Sequence, residues 1–484
     1  MTQRALPGRV TPAGVRAGIV ARKRRNGRGA KAPQEGGYVT TRPMEHEPAP
    51  VVPEGPKQAG VRSRWSWAAP EVWTERMLSA LEDGVKGRVW FSLMDKVYAE
   101  RSLRSAWAKV RGNGGSGGVD CETIARFDRV ADDRLAGLGQ ALRDGTYRPL
   151  PVRRVYIPKP DGRERPLGIP AVRDRVVQTA LRNVLEPIFE REFSDTSYGF
   201  RPGRSAKDAL RRVDELLSAG YTVVVDADLK SYFDTIDHEK LMALVEARVA
   251  DGKVLALLRS FLTQGVLDGM REWMPTCGSP QGAVISPLLA NLYLHPLDVQ
   301  LGQAGYELVR YADDFVVMCR TQGEAQAALG LIRDWVGAMD LQLHPDKTRI
   351  VDVRQARASF EFLGYRFERG FRGPRTSSLK KLKDAVRLHT PRTSGHSLAV
   401  IIGRLNPILR GWFGYFKHSR RSILSKLDGW IRMRLRSILR KRHHRKGRGR
   451  GRDHHRWPNV FFVSRGLFTF DEAHRFARQS LTVH

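Results

Sequence analysis

The sequence predicts a mixed α+β fold that gives way, toward its C-terminus, to an all-helical and strongly basic region. Three observations predict it. Short β-branched runs such as "VVVDADL" and "LVRYADDFVVMC" alternate with segments whose apolar residues recur every three or four positions. From Ser397 onward only the helical period remains. Lys and Arg number 83 against 51 Asp and Glu, a net charge of +32, which points to a polyanionic partner: nucleic acid first, an anionic membrane surface second. No apolar run approaches the roughly 18 residues needed to span a bilayer, so no membrane partner is expected. The 484 residues suffice for two or three domains, and 41% hydrophobic residues suffice for a sizeable core. Cys121, Cys277 and Cys319 are far apart and form no CxxC, which disfavours structural zinc or a disulfide framework and suits a reducing interior. The N-terminus lacks the apolar stretch of a secretory signal, so a cytoplasmic, nucleic-acid-associated protein is expected, with organellar import as the alternative because the Arg-rich start has no acid before Glu35.

Taken in order, residues 1–70 are rich in Gly, Pro, Arg and Ala without periodicity and read as a disordered basic arm. Residues 71–150 read as helices broken by the loop Gly112–Gly118. "VRRVYIPKPDGRERPLGIP" reads as a β-hairpin turning at Lys159-Pro160-Asp161-Gly162. The helix "RDRVVQTALRNVLEPIFEREF" and the strand "YTVVVDADL" follow, then helical segments to about Gly265 and a Gly/Pro loop around Ser279. Beyond it come the helix "SPLLANLYLHPLDVQL", a hairpin at Asp313-Asp314, a helix over 323–339, and strands near Thr348 and Phe360.

Two strand ends carry carboxylates. Alternation puts Asp226 and Asp228 on one strand face, with Ala227 on the other. Asp313 and Asp314 are adjacent between apolar strands. Asp favours turns, but like charges side by side near a core also suit a divalent cation that cancels their repulsion. Two-metal phosphoryl transfer needs carboxylates gathered around cations roughly 3.5–4 Å apart, and an Asp from one strand with an Asp pair from a neighbouring hairpin would supply them. Between these sites lies "GSPQGAVISPLLANLYL". Its Gly278, Pro280 and Gly282 leave backbone open to close approach, and Ser286-Pro287 opens a helix.

YADD, the Asp-rich strand with Phe233 five residues after Asp228, and SPQGAVISPLLAN together resemble a reverse transcriptase palm. More narrowly, residues 75–484 resemble the group II intron-encoded reverse transcriptase/maturases of bacterial type, through "AWAKVRGNGGSGGVD", "SYGFRPGRSAKDAL", "FEFLGYRF" and "GWFGYF". The resemblance implies a right-hand polymerase with fingers and palm over 151–372, a helical thumb/maturase domain over 373–445, and a short basic nucleic-acid-binding segment over 446–484. It implies Asp228, Asp313 and Asp314 as catalytic metal ligands for two Mg2+ ions, with Mn2+ as a substitute and Asp226 as a supporting acid. It implies Lys159 and Arg165 on the triphosphate, Gln281 against the incoming nucleotide, Lys347 near the pyrophosphate, and Phe233 as the aromatic that excludes a ribose 2′-OH. Phe362, Leu363 and Gly364 match the primer-contacting strand and turn. The implied partners are group II intron RNA, an RNA template with a DNA primer, target DNA and deoxynucleoside triphosphates.

In "SKLDGWIRMRLRSILRKR", Leu427, Ile431, Leu435 and Ile438 mark a buried side, while Arg432, Arg436 and Arg440 recur every four residues on another. A one-signed stripe repels itself without a polyanion, so these arginines are expected to bind RNA, together with the nine Lys/Arg among residues 440–456. Many relatives end in an HNH endonuclease with paired cysteines and histidines; this chain reaches His484 without them and is expected to prime from a nick or a replication-fork end supplied otherwise. The rival readings are a non-enzymatic splicing factor on a decayed polymerase scaffold, a reverse transcriptase of another element, and an RNA-dependent RNA polymerase.

Overall fold

The computed structural model describes residues 61–85, 89–158, 162 and 164–479, all within one unit, Ala59–His484. Most of the N-terminal arm and Lys159 with its turn neighbours Pro160 and Asp161 lie outside the described residues. Eleven strands form three sheets among them. The central sheet contains β3 (Val223–Asp228), β6 (Glu307–Tyr311), β7 (Asp314–Cys319) and β8 (Arg349–Asp352) in the order β6-β7-β3-β8. Val223, Val224 and Val225 are all fully buried because the strand lies between partners on both edges and helices or loops on both faces. Each such valine stabilises the fold by about 1.5–3 kcal/mol relative to exposure. This explains why the strand reads as a continuous apolar run, with alternation appearing only at its acidic end.

The second sheet joins β1 (Val152–Pro158), β2 (Glu164–Ile169), β4 (Val266–Asp268) and β5 (Arg271–Trp273) in the order β2-β1-β4-β5. β1 and β2 are the expected hairpin; the short β4–β5 hairpin falls where only a loop was expected. Three-residue strands are too brief to show a period in the sequence. The third sheet, β11-β10-β9, comprises β9 (Ser359–Phe362), β10 (Tyr365–Glu368) and β11 (Phe371–Pro374).

Two helices back the central sheet: Ser286–Gln303, which starts with Pro287 in its first turn and packs on β6, and Gln322–Ala338, which packs on β3 and β7. Val172–Glu190 lies against Ser286–Gln303 and is buried along most of its length. Beyond β11, the helices Thr376–His389, Leu398–Phe416 and Arg421–Arg442 share a core of Leu405, Leu409, Leu427, Ile431 and Leu435.

The packing corrects two expected boundaries. Residues 61–70 are not part of a disordered arm: Val61–Arg64 is helical and Trp65, Ala68 and Ala69 enter the main core, a burial that small and aromatic residues without a clear period do not announce. The described part of the C-terminal segment, residues 446–479, does not stand apart either. Trp457, Phe462, Leu467 and Phe470 complete the core of the helices before them.

Candidate active site

The site is built at one end of β3 and β7. In their antiparallel register Asp228 lies directly opposite Asp314, and Asp226 lies opposite Val316 on one side and Arg349 of β8 on the other. Asp313 occupies the two-residue turn between β6 and β7, so four acids from two strands and the adjoining turn converge. Their cleft, about 610 Å³, is lined by Asp226, Asp228, Asp313 and Asp314 together with Arg165, Lys347, Arg349 and Arg375.

The turn is strained and firmly held. Ala312 sits at φ 59°, left-handed backbone that costs an L-residue about 1–2 kcal/mol. Arg310 compensates from inside the fold. Its guanidinium donates to the Ala312 carbonyl at 3.0 Å and to Asn291 Oδ1 at 3.0 Å, and forms a wholly buried ion pair with Asp298. A hydrogen bond from a charged donor contributes about 1.5–3 kcal/mol, enough to offset the strain. Gly199 packs flat against the turn: a Cβ there would lie 2.3 Å from the Ala312 nitrogen. The Gly199 carbonyl in turn accepts from Asn291 Nδ2 at 2.8 Å. Sequence reasoning passed over this support, although an arginine inside "LVRYADD" already required a buried acid as partner.

The electrostatics follow from crowding. Solvent reaches Asp314, but it lies in a concave cleft where protein replaces most of the surrounding water. That burial, then the charges of Asp226 and Asp313, raises its carboxyl to about 7. Burial also raises Asp226 to about 6 despite Arg349, whose Nε lies 3.3 Å from it. Asp313 is raised by burial and by Asp228. Lys347 forms an ion pair with Asp228.

Among the described residues no three His, Cys, Asp or Glu side chains are gathered into a ready-made metal cage. The donor chemistry nevertheless fits hard divalent cations. All the acids offer oxygen ligands, and Lys347 and Arg349 supply cations at Asp228 and Asp226.

Phe233 and Gln281 line a second pocket of about 280 Å³ with Arg154, Gly168 and Gly278. The loop carrying Gln281 is pinned at several points. Ser279 N donates to Phe233 O at 2.7 Å, Gly168 N to Gln281 O at 2.7 Å, and Val284 N to Gln178 Oε1 at 2.7 Å. Gly282, at φ 110°, allows that approach, since a Cβ would fall 2.5 Å from the Gly168 carbonyl. Arg165 and Lys347 therefore accompany the acids, whereas Phe233 and Gln281 occupy a separate pocket beside the β1–β2 sheet.

Two expectations need correction. Phe362 is buried among Phe360, Tyr365 and Phe367, so its side chain is not open to a primer; Leu363 and Gly364 alone form the turn. Arg432, Arg436 and Arg440 are not one exposed stripe. Arg436 is 2% exposed and donates to Trp457 O and Asn459 Oδ1, each at 2.8 Å, while Arg440 pairs with the buried Asp453 at 2.5 Å. The C-terminal segment supplies these acceptors, which the arginine spacing alone could not reveal.

An acidic hairpin and strand floored by helices, flanked by a hairpin sheet and followed by a helical region, define the class: a polymerase of the reverse transcriptase type. Residues 157–367 match the family model described as reverse transcriptase (RNA-dependent DNA polymerase), and residues 379–457 match the group II intron maturase-specific domain. Protein YkfC of Escherichia coli (strain K12) is 39% identical over 279 residues, covering 49% of this chain and 72% of that protein. The group II intron-encoded protein LtrA of Lactococcus lactis subsp. cremoris is 42% identical over 172 residues, covering 35% of this chain and 28% of LtrA. A telomerase structure from Candida albicans has a TM-score of 0.37 at 13% identity, covering 65% of this chain and 64% of that chain. The chain belongs to the group II intron-encoded reverse transcriptase/maturase family. Its relatives support reverse transcription and assistance to intron splicing as the activities of that family.

Proposed function

We propose that this protein copies group II intron RNA into DNA from a DNA primer at its target, and helps the same RNA fold for splicing. The observation that carries the reading is the register of Asp228 against Asp314 with Asp313 on the adjoining turn, in one cleft with Arg165 and Lys347. In this reading Asp228, Asp313 and Asp314 hold Mg2+, or Mn2+ in its place, with Asp226 in support. When bound, such ions supply Lewis-acid polarisation and charge neutralisation for phosphoryl transfer.

The chain's own residues do the rest. Arg165, together with Lys159, binds the triphosphate of a deoxynucleotide. Lys347 leaves Asp228 and turns to the pyrophosphate. Gln281 lies against the nucleotide, and Phe233 blocks the space beside the sugar C2′. The Leu363-Gly364 turn supports the primer. Fingers and palm occupy 151–372, and the helices from 373 onward serve as thumb and maturase domain.

Asp313→Asn removes one negative ligand without changing the size of the side chain. It should abolish cDNA synthesis on a primed RNA template, a loss of at least about 100-fold for a group that stabilises transition-state charge, while intron-RNA binding persists. Near wild-type synthesis by the variant would overturn the assignment. RNA binding and splicing assistance without polymerisation by the unmodified protein would identify a splicing factor instead.

A further inference from the structure

The segment after Val172–Glu190 carries a strained and exposed aromatic beside the Asp313 turn. Residues 196–198 run along the outer edge of β6. Tyr198 N donates to the Arg310 carbonyl at 2.8 Å and Arg310 N to the Thr196 carbonyl at 2.9 Å, a parallel bridge of Ser197 with Arg310. Gly199 then lies flat on Ala312, and the next residue, Phe200, sits at φ 58°. That left-handed backbone is imposed from both sides. Asn291 Nδ2 holds the Gly199 carbonyl at 2.8 Å. Arg201, 7% exposed, donates through Nε to Glu190 at 3.0 Å and through Nη1 to the Ser197 carbonyl at 2.8 Å. Glycine or asparagine would take this conformation at less cost. Phe200 does not recover the cost by burial, for it is 46% exposed. A strained backbone that presents a ring to solvent beside four acids marks a site of contact.

The ring meets the row of side chains that carries the acids. Cross-strand partners share a face of the sheet. Tyr311 is opposite Asp314, and Asp314 is opposite Asp228, so the three form a row across β6, β7 and β3. The Phe200 ring continues that row at the edge, its centroid 6.4 Å from that of Tyr311. Two strand spacings of about 4.8 Å put it roughly 10 Å from Asp314, the length of about three stacked nucleotides. We infer that Phe200 is a binding residue for the primer–template duplex: its exposed face packs against the sugars and base edges of the last few base pairs before the primer terminus, while the acids act at the terminus itself. A ring suits this place, since it covers sugar and base surface without adding a charge close to the acids. The inference rests on the reading of the cleft as the polymerisation site and adds the duplex contact beside it.

Phe200→Asn removes the ring and puts in a residue that accepts left-handed backbone, while Phe200→Tyr keeps the ring. Each full-length variant is compared with the unmodified protein in four measurements: affinity for a DNA primer annealed to RNA without nucleotide, thermal midpoint, KM for the deoxynucleotide at saturating primer–template, and intron-RNA affinity. Phe200→Asn should bind the duplex about three- to tenfold more weakly, the worth of covering the exposed half of one ring. Its thermal midpoint should equal or exceed that of the unmodified protein, because the strain is relieved. KM and intron-RNA affinity should hold, and Phe200→Tyr should bind the duplex as the unmodified protein does. Unaltered duplex affinity in Phe200→Asn would overturn the inference. A thermal midpoint that falls with the affinity would overturn it too, since the ring would then be packing. Equal weakening of intron-RNA binding would do the same, since the contact would not be with the duplex. Duplex binding that depends on Phe200, without primer extension by the unmodified protein, would count against the reading of the cleft and leave the contact standing.

Discussion

Phe233 shows how far a single residue can be interpreted. Its ring is half-buried, packed on Tyr232 at 5.4 Å between centroids, and forms part of the pocket that also holds Gln281. A sugar seated there would meet the ring, and shortening the side chain would open room for a hydroxyl. Phe233→Ala should therefore raise ribonucleotide over deoxynucleotide incorporation by about tenfold or more, as a steric contact of 1.4 kcal/mol would give. Competition between the two nucleotide types on one RNA template measures it, and an unchanged ratio would leave Phe233 as core packing. The acids themselves were legible because carboxylates rarely interrupt a β-branched run without a ligand or a partner. Arg310 was legible only as an anomaly. Its acceptors, Asp298 and Asn291, come from a helix, and no spacing rule in the sequence connects that helix to the YADD strand.

At the scale of elements, long periodic helices and the two main hairpins could be read from pattern. The short β4–β5 pair, the helix Val61–Arg64 and the inward turn of Arg436 could not, because each depends on tertiary contacts. Two arginines four residues apart on the helix Arg421–Arg442 make the point testable. Arg436 spends its charge on the Trp457 carbonyl and Asn459, and lies over the Phe462 ring at 5.2 Å. Arg432 is half-buried and lines a cleft with Asp428 and Asn459. Arg436→Gln should lower the thermal midpoint, since about 1.5–3 kcal/mol attaches to a hydrogen bond from a buried charge, and leave the salt dependence of RNA binding unaltered. Arg432→Gln should do the reverse, lowering the slope of log affinity against log salt by about one unit if it meets a phosphate. Thermal unfolding beside RNA binding across a salt series separates the two. A reduced salt slope for Arg436→Gln would mean that its side chain leaves the core to bind RNA.

Across the whole molecule, the charge of +32 and the acidic cleft assign opposite tasks to different surfaces. In the proposed function the basic helices hold a polyanion, while a few concentrated carboxylates at one end of the central sheet create the demand for cations that phosphoryl transfer uses. No helix among the described residues is long and apolar enough to cross a membrane. In the proposed function this cleft makes DNA on an RNA template. The most direct measurement is extension of an annealed DNA primer on intron RNA by the full-length protein, with deoxynucleotides and Mg2+, followed by sequencing of the product. A DNA strand complementary to the template is expected, lost on chelating the metal and lost in Asp228→Asn. Untemplated addition, or templated extension that survives in Asp228→Asn, would contradict it.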